Sequence, residues 1–235
     1  MDILRTFNEV TVEISAEKFV TLSKSAVLAR MMIDQTKLKQ QSSDSLPPIV
    51  KKLVDELHSG LVKRFGDRES NDLIAEAIFL DPRFKKQGFS DQAMFNETYQ
   101  ALLQVMQQNC TATDEEQQPE PQPSAAKSSI WEQFDETISK LQTTQDPRTA
   151  CIMELDKYIA EPYLSRHGDP LDWWNSRKHV YPNLYRIMLT RLCIIATSVP
   201  CERIFSKTGQ LISERRSALS PKNVAKIMFL NVNLT

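Results

Sequence analysis

The sequence predicts a mainly α-helical protein, and three observations carry that reading. Apolar residues recur at threes and fours along most of the chain, the period of an amphipathic helix. Glycine is scarce, with 5 in 235 residues, too few for Gly-rich phosphate loops or an all-β design with many tight turns. Prolines and oxygen-bearing side chains stand where the periodic runs begin, positions that tolerate a missing amide and gain from a cap.

In chain order, Phe19, Leu22, Ala26, Ala29 and Ile33 define one face of a helix expected from Ile14 to Leu38. Leu46, Ile49, Val50, Leu53, Val54, Leu57, Leu61 and Phe65 form a stronger stripe, with Pro47 and Pro48 in its first turn. Ser70 is the expected cap of a third helix through Leu73, Ala77 and Ile78, which Asp81-Pro82 then ends. Met94, Phe95, Leu102, Val105 and Met106 mark a fourth, from Ser90 to Gln108. Beyond a connector, Ser129 and Glu132 form a capping box before Phe134, Ile138 and Leu141. A helix from Thr149 to Ala160 follows, with Ile152, Leu155 and Ile159 on one face. Asp169-Pro170-Leu171-Asp172 combines an oxygen cap, a first-turn proline and a first-turn acid, and leads into Trp173 and Trp174. Pro182 opens a helix with Leu184, Ile187, Met188 and Leu192. The run Leu192–Ala196 reads either as its end or as a short strand. Ser198, Val199 and Pro200 start the next helix, bearing Cys201, Ile204 and Phe205, which Gly209 is expected to stop. Ser220-Pro221 begins the last, with Val224, Ile227, Met228 and Leu230.

One composition break divides the chain. Residues 109–128 lack large apolar side chains and are rich in Gln, Pro, Glu, Ser and Ala. Such a stretch buries too little surface to offset its ordering entropy, so a disordered connector is expected between helical segments 1–108 and 129–235. A net charge of −1 removes the simplest argument for nucleic-acid binding over the whole surface. Cys110, Cys151, Cys193 and Cys201 form no CxxC pair, and His58, His167 and His179 stand at no zinc-finger spacing from them. Reduced thiols are expected, with Cys193 and Cys201 as core filler. The N-terminal residues have no secretory pattern, and no apolar run reaches the length of a membrane span. No nucleophile-elbow string or Cys/His arrangement points to hydrolysis, and no metal, cofactor or small-molecule substrate is expected.

Several residues admit two readings. Adjacent Trp173 and Trp174 point about 100° apart on a helix, so one is expected in the core and the other against another element or a partner chain. Asp81-Pro82-Arg83-Phe84-Lys85 reads first as a turn with solvated charges. Its alternative is a DNA-backbone contact through Arg83 and Lys85, and Arg215 with Arg216 form a second modest basic cluster. Apolar residues on more than one face of the last helix imply burial on two sides, inside the domain or across a dimer.

The strings LRTFNEVTVEIS, TLSK and IFLDPRFK, then DPLDWWN at 169–175, YPNL at 181–184, SVPCERIFS at 198–206 and RRSALSPKNV at 215–224 resemble hAT transposases in order and spacing. The likeness is closest to BED-type zinc-finger proteins domesticated from such transposons. That resemblance implies an RNase H-like catalytic fold interrupted by a helical insertion, here incomplete: residues 1–108 as part of the insertion and 129–235 as the C-terminal dimerisation region. By position, Glu202 resembles the family's third metal-binding carboxylate. Two Mg²⁺ ions need the family's two aspartates as well; no part of this chain resembles the strands that carry them, so no catalysis is expected from it alone. The resemblance also implies a homodimer through Trp173, Trp174, Phe205, Ile227, Met228 and Leu230, a nuclear location, and DNA association through a longer parent. Two alternatives stay open: a piece of an active transposase, and a generic helical adaptor.

Overall fold

A computed structural model describes residues 2–15, 20–42, 47–113, 147–212 and 219–234. Their helices are α1 (Asp2–Ile14), α2 (Leu22–Gln41), α3 (Pro48–Phe65), α4 (Asp72–Leu80), α5 (Gln92–Thr113), α6 (Pro147–Ala160), α7 (Pro170–Arg177), α8 (Pro182–Arg191), α9 (Val199–Leu211) and α10 (Pro221–Asn233). Short 3₁₀ turns occupy Arg68–Ser70 and Lys85–Gly88. No strand occurs among the described residues, so Leu192–Ala196 is the irregular end of α8.

The chain is helical for the reasons its sequence gives, with boundaries corrected in four places. The helix expected from Ile14 to Leu38 begins at Leu22 as α2, and a separate helix, α1, precedes it over Asp2–Ile14. Phe7, Val10 and Ile14 supply α1 with its own stripe, which packs on Leu28, Met32 and Leu61 of α2 and α3. The cap of α4 is Asn71, whose Oδ1 accepts from the Ile74 amide at 3.3 Å, one residue past the expected Ser70. Helix α5 runs on through Thr113, five residues into the expected connector, because helix formation is cooperative and polar residues extend a well-anchored helix cheaply. Gly209 does not stop α9, which continues to Leu211. At Asp169 the expected cap is present: its Oδ1 accepts from the Leu171 amide at 2.8 Å. The Ser129 capping box lies outside the described residues.

The two sequence segments share one core. Ala77, Ile78, Phe79 and Leu80 of α4 are completely buried against α2, α5 and α8, and Leu102, Met106, Leu155, Tyr158, Trp174 and Leu184 belong to the same cluster. A helix end buried this deeply needs partners for its last carbonyls, and each segment supplies the other's. The Trp174 indole donates to Leu80 O at 2.8 Å and the Tyr158 hydroxyl to Phe79 O at 2.9 Å, capping α4. In return, Lys85 Nζ donates to Tyr158 O and Glu161 O, each at 2.7 Å, capping α6. A cation at a helix C-terminus also meets the negative end of the dipole.

That lysine shapes the turn around it. Lys85 has φ 42°, the left-handed region that L side chains avoid at a cost of about 1 to 2 kcal/mol. Three residues on, a Cβ at Gly88 would stand 2.3 Å from Ile78 Cγ2, so only glycine lets the turn lie on α4.

Candidate self-association surface

Helices α9 and α10 contrast with the body. In α4 the last six residues are buried, whereas α9 has no buried residue at all. Burial on the two helices is slight: Val224 is buried, and Thr208, Leu211 and Met228 are half-buried. Outward, Phe205 is 76% exposed, Phe229 68%, Leu230 51% and Ile227 40%. Ile227, Leu230 and Leu234 recur at i, i+3 and i+7, a helical stripe facing solvent instead of core. Exposed apolar side chains grouped at helical spacing mark an interaction site more often than isolated exposed leucines do. The hairpin joins the body through the 192–198 segment, where the Ala196 amide donates to Thr21 Oγ1 at 3.0 Å.

Of the residues expected to line a dimer, Phe205, Ile227, Met228 and Leu230 therefore lie on this hairpin, while Trp173 and Trp174 do not. Both tryptophans are buried, at 8% and 0% exposure: of the two places open to the second ring, another element of this chain or a partner chain, the structure has the first. Tyr158 and Tyr181 wrap both exposed directions of the short α7. Trp174 stacks on Tyr158 at 5.0 Å between centroids and Trp173 on Tyr181 at 6.1 Å, with the two indoles edge to face at 5.1 Å. The 100° divergence is absorbed by a layer of aromatic rings, which sequence periodicity does not display. Cys193 and Cys201, expected as core filler, are exposed, whereas Cys151 is buried.

The DNA-backbone reading of Arg83 and Lys85 is corrected as well. The Arg83 side chain is 3% exposed and holds Asp81 through Nε to Oδ1 at 2.8 Å and a terminal nitrogen to Oδ2 at 2.5 Å. Lys85 is 1% exposed, with its Nζ 4.6 Å from the Tyr158 ring centroid and 5.9 Å from that of Trp173. Neither side chain reaches a phosphate. The solvated-charge reading fails for the same reason. Arg215 and Arg216 lie outside the described residues. Glu202 is exposed in the first turn of α9 and accepts from Ser198 Oγ at 2.6 Å. No group of three or more His, Cys, Asp or Glu residues suited to a metal occurs among the described residues. No described helix is long and apolar enough to cross a membrane.

Burial pushes the Lys85 ammonium down to about 8, with Arg177 acting in the same direction and Glu161 opposing. The unfolded chain holds this proton up to about pH 10.5. Between roughly pH 8 and 10 the unfolded state therefore binds more protons, and Lys85 contributes stability that rises with pH. Above about pH 10 the trend reverses, since burial raises both Tyr158 and Tyr181 (Tyr181 to about 12) and the unfolded tyrosines ionise first. Comparing urea unfolding of wild type and Lys85→Met at pH 7, 8, 9 and 10 isolates the lysine. The wild type is expected to gain about 2 to 3 kcal/mol on the variant across that range. Parallel curves would show that the ammonium is not destabilised by burial.

Residues 154–234 match the hAT family C-terminal dimerisation region, the segment that contains α7 to α10. The chain is 28% identical over 173 residues to a putative AC transposase of Zea mays, covering 68% of this chain and 21% of that protein. Similarity extends to zinc finger BED domain-containing protein 4 of Homo sapiens, 24% identical over 192 residues, covering 77% of this chain and 16% of that one. It extends also to zinc finger BED domain-containing protein DAYSLEEPER of Arabidopsis thaliana, 26% over 170 residues, with shares of 68% and 24%. The chain thus spans about a fifth of the length of these relatives.

Proposed function

Because residues 154–234 carry the hAT family C-terminal dimerisation region, we propose that this chain is a homodimerisation module of a transposase-derived, DNA-associated nuclear protein and is not catalytic by itself. The observation that carries the reading is the α9–α10 hairpin, whose apolar side chains stand exposed among the described residues. A second copy covers such stripes without having to fold the hairpin first, so the ordering cost is confined to the exposed side chains. In a longer parent, pairing two chains would bring two DNA-binding arms together. Avidity then comes from effective concentration and needs no new base contact. Residues 1–108 are read as part of a helical insertion and the C-terminal helices as part of an incomplete RNase H-like fold, whose exposed face the second copy covers.

A second reading has its own observation. Glu202 stands exposed at the start of α9, open to ligands from elsewhere in a parent. In an active hAT transposase it would supply the third carboxylate beside two aspartates, and the chain would be part of an enzyme. Metal-dependent strand cleavage by a full-length parent, lost in Glu202→Gln, would favour this reading over the first.

The test of the main proposal is molar mass by light scattering across a dilution series, for wild type, Phe205→Asp and Ile227→Asp. Wild type is expected to fall from dimer to monomer on dilution, and each variant to dissociate at concentrations at least about 30-fold higher, a loss near 2 kcal/mol. Far-UV circular dichroism should be unchanged, because both side chains are exposed. A wild-type monomer at every concentration overturns the proposal.

A further inference from the structure

Gly209 lies inside α9, where glycine disfavours a helix relative to alanine. Neither usual reason for a glycine applies among the described residues. Its φ is not positive, so it is no left-handed cap, and a Cβ built on it meets no described atom within 4 Å. Phe205 stands one turn earlier on the same helix, 76% exposed. Four residues advance about 40° around an α-helix and about 6 Å along it. Ring and gap therefore share one face, as a projection and a recess, and Ile212 falls on that face too, 51% exposed.

A face bearing a projection and a recess one turn apart is complementary to itself when reversed. Resting on the dimer reading above, we propose that two copies pair through antiparallel α9 helices, each Phe205 ring packing over Gly209 of the other copy. A two-fold axis passing opposite position 207 matches 205 to 209 twice, as an isologous contact requires. Lys207 itself points about 200° away from Phe205, and Glu202, which shares the face about 60° from Phe205, falls opposite Ile212 of the other copy, so the axis brings no pair of like charges together. The glycine then has its usual meaning, a close approach, made by the partner and not by its own chain.

Exchange of the two residues tests the register. Phe205→Gly and Gly209→Phe are each expected to raise the dimer dissociation constant at least about 30-fold, by removing the ring or filling the recess. The exchanged double variant, Phe205→Gly with Gly209→Phe, puts a ring opposite a gap again and is expected to return within about tenfold of wild type. Gly209→Ala is expected to raise helical content while weakening the dimer several-fold, opposite signs that a purely intrachain role would not give. Dissociation constants come from sedimentation velocity over a dilution series, with circular dichroism confirming that each variant is folded. A double variant as weak as the product of its singles overturns the register. So does a Gly209→Phe dimer of wild-type strength that Ile227→Asp still breaks, which leaves the dimer reading standing. A wild-type chain monomeric throughout overturns both.

Discussion

Trp174→Ala is expected to cost about 3 to 5 kcal/mol of folding stability, the range for truncating a large aromatic in a core that cannot collapse around the loss. The side chain is completely buried. Its ring stacks on Tyr158 and its indole nitrogen caps Leu80 O at 2.8 Å. Trp174→Phe separates these roles: it keeps most of the packing and orphans one helix-end carbonyl, at about 1 to 3 kcal/mol. With domain stabilities of roughly 5 to 15 kcal/mol, the alanine variant is expected to lose most of its helical signal in mild urea while the phenylalanine variant survives. Measured by circular dichroism at concentrations where wild type is monomeric, a change below about 1 kcal/mol for alanine would contradict the shared core. It also follows that a dimer lost on mutating this tryptophan would report unfolding, not an interface.

The reason that role was hidden in the sequence is instructive. Periodicity reports which face of a helix is apolar but not what lies opposite, so it places Ile187 and Leu184 in a core and is silent on a layer of rings around α7. It identifies Asp169 as a cap because a cap is a local event, resolved within three residues. The caps that join the two segments are not local: Trp174 to Leu80 and Lys85 to Tyr158 span 94 and 73 positions. Nothing within a window of helical length announces them. The same limit explains Asp81-Pro82-Arg83. Adjacent charges in a turn read as solvated, and only the arrival of α2 over the turn buries them. On the hairpin the position is reversed. Breadth of apolar character in the last helix was legible, since Ile227, Met228, Phe229 and Leu230 are consecutive and no single face holds four consecutive residues. Gly209 was not. A helix-stop reading is the usual one for glycine near a helix end, and the continuation of α9 through Leu211 removes it.

Replacing Asp81 with alanine is expected to be as damaging as the tryptophan truncation, though nothing large is removed. Asp81 is fully buried and accepts from Arg83 Nε, from a terminal Arg83 nitrogen, from the Arg83 amide at 3.0 Å and from Ser23 Oγ at 2.6 Å. Its carboxylate ties the start of α2 to the end of α4 and neutralises a guanidinium that water barely reaches. Alanine leaves that guanidinium charged and unpaired, at about 3 to 5 kcal/mol. Arg83→Met strands the carboxylate instead, but Ser23 and the amide still solvate it, so a smaller loss is expected. Removing both charges relieves the penalty each single variant suffers. The Asp81→Ala, Arg83→Met protein should therefore lie well above the sum of the two losses, by a coupling of at least about 2 kcal/mol. Urea titrations of the four proteins close this cycle. Additive losses would mean that Arg83 finds water or another acceptor once Asp81 is gone, and would reopen the turn as a surface feature. A large coupling would instead fix the pair as a buried clamp between α2 and α4, built from the same three residues that on sequence alone resembled an exposed basic turn.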